Sequence, residues 1–505
     1  MNNPKASRKR PRRGNVVLLH SSELRDLTYS TMKYIHKDRD LLLSSLLYCC
    51  GFIRETPSFF HVISPKVATR AHLETFHTSD FLDLLEYPKK NEDNMLYPSF
   101  RQSRDTEDDA AYVNLLDAYG LTDDCPIPSD PMKKASLWKY CLSIAGASLH
   151  AAHLVLQGMQ DNPVDVAINW SGGRHHAHSD KAGGFCFVND IVIATKKLIK
   201  AKKKVLYLDI DIHHSDGVQS AFYDTDQVLT VSLHRYVAGF FPSKSGSTKE
   251  KGKDVGLGYN CNLPMPRGCR DCDLIDMVSL VLSKIGEIYD PDIVVLVVGA
   301  DGLKSDDLVK DTNEGWNLTP EGLAECVRRV ACFCGDNQDE SDENKDKFQN
   351  RKNRRRKLIL LGGGGYNPAN TARTFLLCTA AACESTRPGM LWKLLPKDIP
   401  HHKYFERYGP SFELISNTMK RMYSENETKS NDINYAKAVK SAKEDVILTS
   451  SFLSSKIEKP STDQMFSYSE DSIDFEVGKG SNVMSAKNRL NGSRASTMNR
   501  RRRRK

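Results

Sequence analysis

The sequence predicts an α/β protein: a single large domain with a central parallel β-sheet and helices on both faces. Three observations lead there. Four segments, VAINWSGGRHH (Val166–His176), VLYLDIDIHHSDG (Val205–Gly217), IVVLVVGAD (Ile293–Asp301) and LILLGGGGYN (Leu358–Asn367), each begin with a short apolar run. Such runs form parallel strands buried on both sides. Between them lie helical patterns. Ile191, Ala194, Thr195, Leu198 and Ile199 recur at i, i+3, i+4, i+7 and i+8 behind Asn189, a suitable N-cap, and Leu323–Phe333 is helix-like. Strand, helix and strand in alternation imply right-handed crossovers over a parallel sheet. Finally, each apolar run stops abruptly at His, Asp or Gly-Tyr, and in open α/β sheets ligands bind off the carboxyl ends of the strands.

Along the chain, residues 1–15 form a basic stretch expected to be disordered, 16–425 the folded body, and 426–505 a Ser-, Lys-, Asn- and Asp-rich tail, also expected to be disordered, with a basic C-terminus. Two insertions are expected in the body. One, near 88–112, contains the polar stretch Lys90–Asp109. The other, 335–357, runs acidic and then basic with no apolar periodicity, as disordered loops do. At 505 residues the chain can bury a large core, yet only 39% of it is hydrophobic, so part of the length is expected outside that core. The net charge of +8 gathers at Arg8, Lys9, Arg10, Arg12 and Arg13 and at Arg500–Arg504 with Lys505. Such clusters read as nuclear-import signals or nucleic-acid contacts, and point to the nucleus, with the cytoplasm as a second compartment. No apolar run approaches the roughly 20 residues of a membrane span, and no apolar stretch precedes Val16 to make a secretory signal. The 13 Cys show no framework spacing, which fits free thiols in a reducing compartment. Cys269 and Cys272 form a lone CxxC, short of the four ligands of a structural zinc.

The chemistry lies where the runs stop. If Val205–His213 continues as a strand, Asp209, Asp211 and His213 share one side. Two acids and an imidazole at the end of a buried strand need a cation. A second strand end adds Asp301, and Asp, His and Asp make a three-ligand zinc site with an open position. Two metals are also compatible with so many Asp and His. His175 and His176 follow a Gly-Gly turn; one can accept a proton and the other can bias its charge, provided each has a partner on its second nitrogen. Asp209 and Asp216 are at hand for that. Gly362–Gly365 allow close backbone approach before Tyr366, whose hydroxyl can donate to an oxyanion.

Together these segments resemble the class I zinc-dependent histone deacetylases, of the arginase/deacetylase fold. The resemblance runs from about residue 16 to 425. It includes PKVAT, TFHTSDFLDLL, YGLTDDCP, NWSGGRHHAHSDKAGGFCFVND, YLDIDIHHSDGVQSAF, TVSLHRYVAGFFP, DVGLG, GAD, NLTPEG, GGGGYNPANTAR and FERYGPSF. It implies one catalytic zinc on Asp211, His213 and Asp301, His176 as general base supported by Asp216, and His175 as its electrostatic partner supported by Asp209. It implies Tyr366 as oxyanion donor, Asp124 at the rim on the substrate backbone, and Gly184, Phe185, Phe241 and Leu308 along the acyl-lysine tunnel. Arg39 resembles the arginine of the acetate-exit channel. Structural potassium is implied at two sites, one at Asp209, Asp211, His213, Ser232 and Leu233, the other at Phe222, Thr225, Val228 and Tyr259. The implied activity is hydrolysis of N6-acetyl-lysine on histones or other nuclear proteins such as cohesin, with a role in chromatin regulation and transcriptional repression.

The departures are informative. Members that need an inositol phosphate and a corepressor carry arginines where this chain has Asp307 and Ala369, so the chain is closer to the corepressor-independent, cohesin-deacetylase-like branch. Arg174 replaces an apolar residue before the His pair, where a cation is expected to lower their pKa values. Asp123 replaces an aromatic at the rim, and the loop Ser243–Lys253 is longer than usual and basic. Two other readings compete: a small-molecule amidohydrolase such as an acetylpolyamine deacetylase, and a non-catalytic scaffold.

Overall fold

The computed structural model describes residues 14–32, 34–53, 59–86, 107–159, 162–309, 314–335, 355–386, 395–415 and 433–457. Its centre is one eight-stranded sheet: β1 (Asn15–Leu19), β2 (Phe60–Ile63), β3 (Val164–Asn169), β4 (Val205–Asp209), β5 (Val228–Arg235), β6 (Asn260–Met265), β7 (Ile293–Val298) and β8 (Lys357–Gly362). All neighbours pair in parallel, in the order β2-β1-β3-β8-β7-β4-β5-β6. The four apolar runs singled out in the sequence are therefore the four adjacent strands β3, β8, β7 and β4. Their carboxyl ends open side by side.

Strand alternation divides the core into two layers. Leu206, Leu208, Val294, Leu296, Leu358 and Leu360 face one side, under the helices Arg39–Cys49, Asp271–Val281, Pro320–Cys334 and Pro368–Ala382. Val205, Tyr207, Val295, Val297, Ile359 and Leu361 face the other, under Pro131–Gln157 and Asp190–Lys200. Every residue of β3, β4 and β7 is buried, which is why these strands lack polar alternation. Each fully buried Leu, Val or Ile contributes about 1.5–3 kcal/mol, so both layers are needed to hold a sheet with no wet face.

Capping fixes where the helices start, and with them the loops that carry function. Asn189 Oδ1 accepts from Val192 N at 3.0 Å, as its position predicted, and its Nδ2 donates to Ala177 O at 2.8 Å, tying the His-pair loop to a helix start. Asn367 Oδ1 accepts from Asn370 N at 3.1 Å with Pro368 in the first turn, so Tyr366 sits immediately before a helix cap.

The polar tail expected from residue 426 needs correction. Ile433–Ile457 is a helix, and Ala442, Val446 and Leu453 on one of its faces are buried in the main core. Their spacing, with Thr449 between, is an amphipathic stripe within a Ser- and Lys-rich composition. The helix packs on the edge strand β6 and the helix Asp271–Val281. Asp445 pairs with Lys251 at 3.3 Å, Tyr435 donates its hydroxyl to Asp273, and Thr449 Oγ1 lies 3.4 Å from Cys261 Sγ. Leu453→Ala is expected to cost about 2–5 kcal/mol through the cavity it leaves; a shifted denaturation midpoint at unchanged slope would show it.

The expected 88–112 insertion also contains structure, since a helix begins at Glu107 and runs to Ala118. Residues 87–106, most of the 335–357 insertion and both terminal basic clusters lie outside the described residues.

Candidate metal and proton-transfer site

β4 ends at Asp209, so strand alternation does not carry through to His213 as expected. Side-chain-to-backbone bonds shape the segment instead. Asp209 Oδ1 accepts from Asp211 N and Asp211 Oδ1 accepts from His213 N, each at 2.9 Å. Asp209 thereby turns away from the other two. Its Oδ2 accepts from His175 Nδ1 at 2.8 Å and from the Tyr207 hydroxyl.

Asp211, His213 and Asp301 do converge. One ligand-type atom from each lies within 4.8 Å of the others, and all three residues are buried. His213 Nδ1 is 3.1 Å from Asp211 Oδ1 and 3.0 Å from Asp301 Oδ2. The backbone holds the carboxylates in place: Gly364 N donates to Asp211 Oδ2 at 2.7 Å and Ile212 N to Asp301 Oδ1 at 3.3 Å. A Cβ at position 364 would lie 2.0 Å from Asp301 Oδ2, so only glycine fits.

The charges here fit a divalent cation. Burial and the neighbouring Asp211 push the Asp301 carboxyl up. Asp211 is held well below the ordinary carboxylate range, because His175 and His213 outweigh its burial. His213 is driven up to about 10, its burial outweighed by hydrogen bonds to both carboxylates. Two buried carboxylates this close need positive charge between them, and two carboxylate oxygens with an imidazole nitrogen make a zinc-type donor set.

The paired imidazoles lie next to this group, their ring centroids 3.9 Å apart. Each is oriented through Nδ1: His175 on Asp209 at 2.8 Å, His176 on Asp216 Oδ1 at 2.8 Å. With Nδ1 donating to a carboxylate, Nε2 is the remaining nitrogen of each ring, and that of His175 lies 4.0 Å from Asp211 Oδ1. The two differ in charge. His175 is raised to about 9, its burial outweighed by Asp209 and Asp211. His176 is lowered to about 4 by burial and then by His175. Arg174 is not among the leading causes of either shift, and the two rings move in opposite directions. Its guanidinium turns to His36 Nε2 at 3.1 Å, and it is His36 that burial, Arg39 and Arg174 push well down. Adjacency in sequence did not give adjacency of charge.

Tyr366 is held by a residue not singled out in the sequence. Asp306 Oδ2 accepts from the backbone N–H of Tyr366 at 2.7 Å and Oδ1 from that of Leu308 at 3.0 Å. The phenol is pushed well above its ordinary range by burial and by Asp301 and Asp211, so it remains a donor. His178 was also overlooked; its Nε2 lies 3.3 Å from Asp216 Oδ2, giving that carboxylate a second imidazole. Asp306 lies outside every segment singled out in the sequence, whereas His178 lies within NWSGGRHHAHSDKAGGFCFVND, two residues after the His pair.

Phe185 meets Tyr366 edge-on at 5.7 Å, with its backbone at φ 62, a conformation rare for an aromatic. Phe241 stands against His176 at 4.8 Å and is 43% exposed, and Leu308 is 39% exposed, so both lie where the site opens. Gly184 N donates to Asp124 Oδ2 at 2.7 Å, joining two residues that the resemblance implies as substrate contacts. Arg39 Nη1 donates to Gly363 O and Gly365 O at 3.1 and 3.2 Å. Of the positions implied for potassium, Ser232 pairs in register with Asp209, Leu233 follows it on β5, Val228 opens β5, and Tyr259 precedes β6. Thr225 N lies 3.5 Å from Phe222 O in the turn before β5.

A parallel sheet whose strand ends bring together an Asp–His–Asp group, two carboxylate-oriented imidazoles and a buried tyrosine defines a hydrolase of the deacetylase type. The histone deacetylase domain profile matches residues 37–382, and the chain belongs to the histone deacetylase family, in its class I. It is 31% identical to Histone deacetylase 8 of Xenopus tropicalis over 398 residues, which is 79% of this chain and 90% of that protein. Histone deacetylase 8 of Danio rerio is 32% identical over 400 residues, 79% of this chain and 88% of that protein. Histone deacetylase 3 of Oryza sativa subsp. japonica is 33% identical over 399 residues, 79% of this chain and 66% of that protein.

Proposed function

We propose that the chain is a zinc-dependent protein lysine deacetylase that hydrolyses N6-acetyl-lysine to lysine and acetate. The convergence of Asp211, His213 and Asp301 beside the His176–Asp216 pair carries this reading. Those three residues would hold the zinc, which when bound would supply Lewis acidity at the acyl carbonyl. His176, neutral and oriented by Asp216, takes a proton from the attacking water at Nε2 and returns it to the departing lysine nitrogen. His175, charged and anchored on Asp209, keeps its neighbour neutral beforehand. Tyr366 donates its hydroxyl to the developing oxyanion. Gly184, Phe185, Phe241 and Leu308 line the path of the lysine chain, and Asp124 meets the substrate backbone. Two potassium ions would be held at the positions implied above.

Substrates in this reading are acetylated histone tails or other acetylated nuclear proteins, cohesin among them, reached in the nucleus. An inositol phosphate and a corepressor are not required. Asp307 accepts an ion pair from Lys37 at 2.7 Å, where a phosphate-binding cation would be needed. Ala369 lines a surface pocket of about 380 Å³ that also contains Arg373 and Arg407. Those cations are engaged: Arg373 donates to Tyr408 O, Ser411 O and Asn370 Oδ1, and Arg407 pairs with Asp38 at 2.6 Å.

The purified full chain, alone, is expected to deacetylate an acetyl-lysine peptide, to lose that activity on chelation, and to regain it with stoichiometric zinc. Turnover that survives complete removal of zinc, checked by elemental analysis, would rule out the metal reading. Turnover seen only with added inositol phosphate would rule out self-sufficiency.

A further inference from the structure

Asp216 is a carboxylate shared between two imidazoles. Its Oδ1 accepts from His176 Nδ1 at 2.8 Å, and its Oδ2 lies 3.3 Å from Nε2 of His178. This line of contacts runs from the inside of the protein to its surface. The side chain of His176 is 5% exposed, that of Asp216 16% and that of His178 35%. The outer ring can therefore exchange a proton with water while the inner one is sealed in.

The hydrogen bonds around His178 suit a cation. Ser220 has one hydroxyl proton, which it donates to Gly217 O at 3.1 Å. Its oxygen is then an acceptor for His178 Nδ1, 3.0 Å away. On the other side, Asp216 is held well below the ordinary carboxylate range, its burial outweighed by hydrogen bonds from His176 and His178. An ionised carboxylate only accepts. Both ring nitrogens thus face acceptors, and a ring that donates from both is an imidazolium. The other charged groups on this loop, Asp180 and Lys181, act on the ring in opposite senses. His77 meets the loop through its backbone, with Nδ1 3.2 Å from Ser179 O, and burial pushes it down to about 4. The net effect raises His178 above its ordinary value, chiefly through the hydrogen bond to Asp216.

A charged His178 draws on the same carboxylate that orients His176. When that proton passes to water, the whole negative charge of Asp216 acts on Nδ1 of His176, and Nε2 becomes a stronger base. For a base weakened by burial, a gain in strength speeds proton transfer.

We propose that His178 is a positioning residue for the hydrolysis, whose proton, exchanged with solvent, sets the strength of His176 through Asp216. This rests on the hydrolase reading above. Turnover is slower where His178 is charged and faster where it is neutral, so activity rises with pH through a step above 6.5, the ordinary value from which His178 is raised.

The test follows kcat/KM of the full zinc-loaded chain on one acetyl-lysine peptide across that range. It is run beside His178→Gln, which is never charged, and His178→Lys, which is charged throughout. The unaltered chain should gain about three- to tenfold across the step, a modest part of what a positioned base supplies. His178→Gln should lack the step and stay at the upper level, and His178→Lys should lack it and stay at the lower. A step that persists in both variants would assign the titration to another group and overturn the role. Equal rates of the two variants at the low end of the range would overturn it too, since a role in packing alone is blind to their charge. In the unaltered chain the His178 ring should titrate by NMR at the midpoint of the activity step; a different midpoint overturns the role whether or not the variants fold. Turnover with no step would overturn this role alone, and no turnover at any pH would overturn the hydrolase reading and the role with it.

Discussion

His176→Ala should lower kcat/KM on an acetyl-lysine peptide by about 10²–10⁴-fold, the range that a positioned general base supplies. The ring is oriented from one side only, through Nδ1 on Asp216 at 2.8 Å, so its loss removes the proton acceptor and leaves the Asp211–His213–Asp301 group intact. Zinc content by elemental analysis should stay at one per chain. An effect below tenfold would transfer the base role to another group. A variant that also lost its zinc would show instead that the substitution had disturbed the metal group. Asp216→Asn gives a graded control, since it keeps the hydrogen bond but removes the charge that favours the protonated ring.

Tyr366→Phe should reduce kcat by about 10²–10³-fold with KM little changed, the usual result of deleting one oxyanion donor. The ring is fixed by contacts that do not involve its hydroxyl: His36 stacked at 6.1 Å, Phe185 edge-on at 5.7 Å, and the backbone N–H on Asp306. Phenylalanine therefore keeps the shape of the site and removes only the donor. A parallel rise in KM would show that the hydroxyl binds the ground state as strongly as the transition state.

The central sheet was legible because strands buried on both faces are mostly apolar, and β3, β4, β7 and β8 carry polar residues only at Asp165, Asn169, Asp209 and Lys357. The outer strands were harder to read. β2 is only four residues long and contains His61, and β6 contains Asn260, Asn262 and Pro264. The candidate metal group was legible from chemistry rather than geometry. Its members were identified by the need of buried acids for a cation, whereas the alternation that seemed to align them stops at Asp209. The contacts of Asp306 and His178 depend on how loops meet, although His178 stood within a segment already singled out. Arg174 was noticed for its residue type, but only the fold shows that its charge lies against His36. The helix Ile433–Ile457 was obscured because composition averages over a window, and a four-position apolar stripe hardly moves that average.

That last helix also bears on where the protein can be cut. The family profile ends at residue 382, yet Ala442, Val446 and Leu453 cover apolar surface on β6 and its neighbouring helix. A fragment trimmed to the shared boundary would keep every residue of the candidate site and still bare a greasy strip beside the last strand of the sheet. Strips of that kind, next to an open strand edge, invite one molecule to stick to the next. For this chain, a soluble fragment is one that reaches past Leu453.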